Sequence, residues 1–301
     1  MKIIVLNQKN IIPDGQNNKL IYKFPNSVQF KDNFIAVSSV SMYYSWFNIT
    51  QAYINNTFTF TWTEGTTTTT YTINIPDGLY EITTLNDLLQ FNFIQQGLYL
   101  VNGSGQNVYY AEFILNPSRY AVQLNTYMVP TALPTGWSNP ANLVFPTQTF
   151  NPSIATPANF CYILGFAPTF VSDSNTNNSY VPPVGSTTIS KNSATGTISY
   201  LSTSAPNLQP NSSILFALSN IDNKLAQPTS IIYSLVPAVN VGEIITETPP
   251  QFMWNKLIDG TYNELRLGIL GTDLNPIKIN DPNMTFLLTI RDKEDLGFVG
   301  K

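Results

Sequence analysis

The chain has 301 residues, enough for one large domain or two modest ones, yet only 11% of them are charged and none is histidine. A net charge of −4, with Arg119 the only basic residue between Lys31 and Lys191, leaves no positive field to gather phosphates, so direct nucleic-acid binding is not expected. The lack of histidine removes Ser-His-Asp and Cys-His nucleophiles, histidine-ligated zinc and the usual proton shuttle near neutral pH.

The opening MKIIVLNQKNIIPDG has an apolar run shorter than a secretion signal needs, and no later run approaches the ~20 residues of a membrane span. Folding in a reducing compartment without a membrane span is therefore expected. On that reading the sequons at Asn48, Asn55, Asn102 and Asn211 are by-products of composition. The missing charge is replaced by Asn, Thr, Ser, Gln and Pro, which favour turns and strands over helices.

The first strong pattern is TFTFTWT followed by TTTTTYTINI. Phe58, Phe60 and Trp62 alternate with threonines at a period of two, which predicts a strand. A turn at Glu64-Gly65 would pair Thr63 with Thr66, Trp62 with Thr67, Phe60 with Thr69 and Phe58 with Tyr71, placing the large residues on one face. Pro76-Asp77-Gly78 then turns the chain, and Tyr80 is expected to anchor that corner. A helix is predicted with Thr84 as cap, Asp87 at its third position, Leu85, Leu88, Leu89 and Phe93 on one face, and Gly97 as the stop.

Strands follow at VYYAEFIL and RYAVQLNTY. A second short helix is expected with Thr156 as cap, Pro157 as its first residue, Gly165 as its stop and Phe166 folding back on it. The single cysteine, Cys161, lies in the apolar run FCYILGF and reads as a buried thiol. From Tyr120 to Ile221 the only charges are Asp173 and Lys191, and Pro, Asn, Ser and Thr dominate. Strand signals return at SILFALS, SIIYSLVPAV, ELRLGIL and MTFLLTI, with no βαβ rhythm. The fold class expected from these patterns is all-β, an antiparallel sandwich with one or two short helices.

The order of strand, IPDGLYEITTLNDLL, two strands, a helix ending ILGF, a Pro/Asn/Ser connection and ELRLGILGTDLNPIKINDPNMTFLLTI resembles the penton (minor capsid) proteins of virophages and Polinton-type elements, most closely those of Mavirus-like virophages. The resemblance runs from about Lys19 to Arg291. It implies a single upright jelly roll, a homopentamer at each icosahedral vertex, and trimers of a double-jelly-roll major capsid protein as partners. It further implies residence in the virion after synthesis in the host cytoplasm or virus factory. Such proteins carry insertions, so residues 1–65 and 205–295 are expected to form a discontinuous jelly-roll domain, 66–205 an inserted region, and 296–301 a tail.

Chemistry can rest only on carboxylates. Glu243 with Glu247, Asp259 with Glu264, and Asp77 with Glu81 are candidate pairs for a glycosidase, but each fits a strand edge or a turn, and no catalytic role is expected. DSNTNNS (173–179) imitates the start of a calcium loop, but it has Asn178 where Gly is required and Val184 where a bidentate Glu is required. No metal or cofactor is expected. The alternative function is a β-sandwich carbohydrate-binding or attachment protein for a host glycan or receptor. Of Trp46, Trp62, Trp137 and Trp254, it would use Trp137 on an exposed loop. The named signals Pro76, Asp77, Gly78, Tyr80, Thr84, Asp87 and Gly165 are expected to be structural.

Overall fold

A computed structural model of the chain describes residues 1–167, 170–172, 186–192, 195–209, 211–223, 228 and 230–294, with 186–191 described by backbone alone. The chain forms two compact units, Met1–Trp46 with Asn211–Lys301, and Phe47–Pro210.

The first unit opens with β1 (Lys2–Asn7), β2 (Lys19–Phe30) and β3 (Asn33–Tyr43). The second unit holds β4 (Thr57–Glu64), β5 (Thr67–Asn74), α1 (Ile82–Gln95), β6 (Leu100–Val101) and β7 (Asn107–Val108). It continues with β8 (Ala111–Asn116), β9 (Ala121–Thr126), β10 (Ser153–Ala155), α2 (Ala158–Leu164), β11 (Ser186–Asn192) and β12 (Thr197–Ser202). The chain then returns to the first unit for β13 (Ile214–Leu218), β14 (Ile231–Leu235), β15 (Ile244–Glu247), β16 (Asn255–Lys256), β17 (Gly260–Leu270) and β18 (Met284–Asp292).

Leaving aside the two-residue β16, the eight strands of the first unit pair in a nested order. β1 pairs with β18, β2 with β17, β3 with β15 and β13 with β14, all antiparallel. This is a long folded ribbon. It rolls up when β18 also pairs with β3 and β17 with β13, giving the sheets β1-β18-β3-β15 and β14-β13-β17-β2. Two antiparallel sheets linked in this way are a jelly roll. Their inner faces share one core, in which Phe216 of β13 meets Phe286 of β18 edge to face at 5.1 Å. Leu265, Leu267 and Ile269 point into that core while Glu264 and Arg266 point out, as their alternation predicts.

The second unit occupies the connection between β3 and β13, the third and fourth strands of the roll. Its boundaries are 46/47 and 210/211 rather than the expected 65/66 and 205. The reason is packing: β4 pairs with β5 and β10, and Phe58, Phe60 and Trp62, all fully buried, belong to the second unit's core. Phe58 stacks on Phe160 of α2 at 5.2 Å, and Trp62 lies edge-on to Phe93, Tyr110 and Phe150. A second sheet, β11-β12-β9-β8, supplies Phe113, Val122, Leu124, Ile198 and Tyr200 to the same core.

The β4–β5 hairpin differs from expectation in register. Glu64 pairs with Thr67, Trp62 with Thr69, Phe60 with Tyr71 and Phe58 with Ile73. The turn residues are Gly65 and Thr66, because Gly65 takes φ +57, the left-handed conformation that the first position of a primed turn requires. A shift of two residues keeps every side chain on its face, so the large residues still line the core. It also brings Phe60 and Tyr71 into a 4.9 Å stack.

Candidate functional site

Of the residues singled out in the sequence, Asp77, Gly78 and Tyr80 gather with Asn48 where the chain enters and leaves the second unit. Ile49 and Gly78 exchange backbone hydrogen bonds of 3.1 and 2.9 Å, and Asp77 Oδ1 accepts from Gln51 N–H at 2.7 Å. Asn48, 2% exposed, is the centre of this corner. Its amide nitrogen donates to Tyr80 O at 2.8 Å and Leu208 O at 2.9 Å, while its oxygen accepts from Tyr80 N–H at 2.9 Å. Asn55 in turn donates to Asn48 O and accepts from Thr50 N–H. One asparagine therefore ties the entering segment, the Pro76–Tyr80 corner and the leaving segment together.

Tyr80 closes the corner on itself, its hydroxyl donating to Pro76 O at 2.9 Å. A Cβ on Gly78 would lie 2.8 Å from the Tyr80 ring, so a larger residue there would push the ring out of its place over the corner. Burial first, and then the Asp77 carboxylate, push the Tyr80 phenol up from its ordinary value. The Asp77 side chain is used by a backbone amide, as a turn aspartate's usually is.

Thr84 and Asp87 do not join this constellation. α1 begins at Ile82 with Glu81 as its N-cap and no side-chain cap bond, so Thr84 is the third helical residue and both Thr84 and Asp87 are exposed. The helix starts early because Ile82 is itself buried and extends the stripe of Leu85, Leu89 and Phe93 by one turn. Leu88 packs at the margin of that core. Gly97, at φ +71, ends the helix as expected, with Leu98 N–H bonding Phe93 O at 2.8 Å. Asn86, which sequence reasoning passed over, accepts from Phe113 N–H and ties α1 to β8.

The α2 start also moves by one residue: Pro157 is the N-cap and Thr156 lies outside the helix. Thr156 Oγ1 instead contacts Cys161 Sγ at 2.9 Å, and Cys161 Sγ–H donates to Thr156 O. The thiol is fully buried and burial pushes it up from its ordinary value. Gly165 ends α2 at φ +78. A Cβ there would stand 2.2 Å from Ser204 O, because the leaving segment crosses over this residue. Ser204 N–H donates to Gly165 O at 3.1 Å and Asn207 N–H to Ile163 O at 3.1 Å.

Apart from Glu81, which makes no side-chain cap bond, the candidate carboxylates each serve a neighbour. Glu247 accepts from Tyr233 O–H at 2.8 Å, Glu243 from Asn240 N–H at 2.8 Å, and Glu264 from Arg266 Nε–H at 2.6 Å. Asp259 lies 3.9 Å from Lys256 Nζ and accepts from Asp32 N–H. The DSNTNNS segment lies outside the described residues. Trp137, expected on an exposed loop, is half-buried and packs on the second unit's core, since Trp137 N–H bonds Pro134 O and its loop pairs with Val101 through Ser138. Trp254 is half-buried beneath the Arg291 guanidinium, 5.3 Å from its ring. Among the described residues, the exposed aromatics are Tyr120 (78%), Tyr162, Phe91 and Phe252.

No known family profile matches the chain, and no curated protein matches it. Among solved structures it is similar to the crystal structure of the mavirus penton protein, at 9% identity over 96% of each chain, with a TM-score of 0.42. It is also similar to a chain of the Sputnik virophage cryo-electron microscopy structure, at 11% identity over 99% of each chain, with a TM-score of 0.41.

Proposed function

We propose that this chain is a structural, non-enzymatic capsid protein that forms the pentameric vertex of an icosahedral virion beside trimers of a double-jelly-roll major capsid protein. The observation that carries the reading is topological. An eight-stranded jelly roll, an architecture used by capsid and lectin domains, holds a whole second unit between its third and fourth strands. Fold alone does not name a function; the motif order, which resembles that of penton proteins, supports the rest. The carboxylates engage tyrosine, amide and guanidinium groups of their own surroundings, which suits framework better than catalysis.

The second unit would supply any outward contact with a host glycan or receptor. Trp137, the residue on which a glycan-binding reading would rest, is committed to core packing. Sedimentation velocity over a dilution series, alone and with the major capsid protein, tests the assembly. The expected species is five times the 33.5 kDa chain. A stable dimer under all of these conditions would contradict it.

A further inference from the structure

We propose that copies of this chain join edge to edge through the β1-β18-β3-β15 sheet, with the β1 edge of one copy against the β15 edge of the next. This rests on the ring assembly proposed above and specifies its contact. The outer side of β16 is covered by the 220–222 segment, Asp222 N–H donating to Lys256 O and Ile258 N–H to Asn220 O. Among the described residues, by contrast, β1 pairs only with β18 and β15 only with β3, so both have an open backbone edge. Proteins ordinarily blunt such edges with proline, charge or bulges. Here Ile3 (57% exposed) and Val5 line one edge, and Ile244, Phe252 and Met253 (61% exposed) line the other.

The two edges differ in charge. Lys2 and Lys9 are exposed at the β1 edge. Shallow grooves of about 460 and 530 Å³ flank Lys9, and no carboxylate lines either one. At the opposite edge stands Glu243, whose carboxylate, among the described residues, bonds only Asn240 beside it, while Glu247 is taken up by Tyr233 and Lys256 by Asp32 and Asp259. Like edges brought together would oppose lysine to lysine, whereas unlike edges oppose lysine to glutamate.

Register makes the match specific. Through β18 and β3, Lys2 stands level with Asn255, which follows Met253 and Trp254. Leu6 stands level with Glu247 and Asn7 with Thr246, so Lys9 falls near the level of Ile244 and Glu243. Rotation about an axis along the strands preserves these levels. It would bring apolar against apolar at one end and Lys9 against Glu243 at the other. Between the edges, the outward residues Leu287, Thr285, Ser39 and Ser41 carry no charge. The other sheet differs, because its outward face carries Lys23 opposite Glu264, with Arg266 bonded to that glutamate. An interface between unlike surfaces closes into a ring when its rotation divides the full turn, as a self-complementary one does not.

Thiol cross-linking of the full chain tests the contact, since native Cys161 is buried and stays silent. Val5→Cys with Thr246→Cys, treated with a short bis-maleimide in solution and in assembled particles, should give a ladder of covalent oligomers. Each single variant should give no covalent oligomer. Lys9→Glu and Glu243→Lys should each weaken assembly about tenfold, and combining them in one chain should restore it; circular dichroism confirms that the variants fold. Dimers from Val5→Cys alone would overturn the proposal. So would the absence of a ladder in particles whose vertices contain the chain, an outcome that leaves the ring reading standing. Absence of any ring, in solution or at the vertex, would remove that reading and this one together.

Discussion

Asn48 makes three hydrogen bonds through one buried side-chain amide, two of them to residues 32 positions away and one to a residue 160 positions away. Asn48→Ala leaves the Tyr80 N–H and two carbonyls without partners in a buried corner. It should destabilise the second unit by roughly 2–4 kcal/mol in urea titrations, from about 1–3 kcal/mol per stranded buried group with partial relaxation. Gly165 and Gly105 both lie at positive φ, +78 and +79, but only Gly165 has carbonyl oxygens against it. Gly105→Ala should therefore lose about 1–2 kcal/mol, the conformational penalty alone. Gly165→Ala should lose at least twice that, because the leaving segment must move. Gly165, Gly97, Asp77 and Gly78 are legible in the sequence because turn and stop stereochemistry is local. Asn48 is not, because an Asn-Ile-Thr tripeptide gives no sign of partners so far along the chain.

At the scale of elements, the helices show which signals compete. Thr84 with Asp87 imitates a capping box, yet burial of Ile82 moves the helix start three residues upstream, and no side chain caps it. Thr84→Ala should consequently change stability by less than about 0.5 kcal/mol, where loss of a true cap removes about 1 kcal/mol. The hairpin face was legible from alternation, and its register was not. A pattern of period two is unchanged by a two-residue slip, and only the positive φ of Gly65 settles the turn. Phe60, fully buried and ringed by Tyr71 and Phe93, lies at the centre of the second unit. Phe60→Ala should lower that unit's stability by about 3–5 kcal/mol, read as an earlier unfolding transition in calorimetry.

For the whole molecule, alkaline pH is the informative variable, since no histidine titrates and tyrosine does. Burial, with the Glu247 carboxylate beside it, pushes Tyr233 up to about 12 from an ordinary value of 10.0. Burial raises Tyr110 and Tyr127 further, Tyr127 with added help from Glu112. In the unfolded chain these phenols ionise at their ordinary value while the folded ones stay protonated. Their contribution is thus complete below pH 10 and is lost as pH rises through the folded values. Both units should weaken from about pH 10 upward, followed by tyrosinate absorbance. Tyr127→Phe and Tyr233→Phe should flatten that dependence in their own units.

The sandwich and the jelly-roll resemblance were legible because strand alternation and motif order run through the chain. The division at 46/47 was not. No composition shift marks it, and it is decided by which core receives Phe58, Phe60 and Trp62. The central claim, that this chain builds the capsid vertex, is tested most directly by a cryo-electron microscopy reconstruction of the assembled particle. Five copies around each fivefold axis are expected, with the eight-stranded roll of Met1–Trp46 and Asn211–Lys301 fitting the vertex density. A vertex filled by a different protein, with this chain elsewhere or missing from the particle, would contradict it.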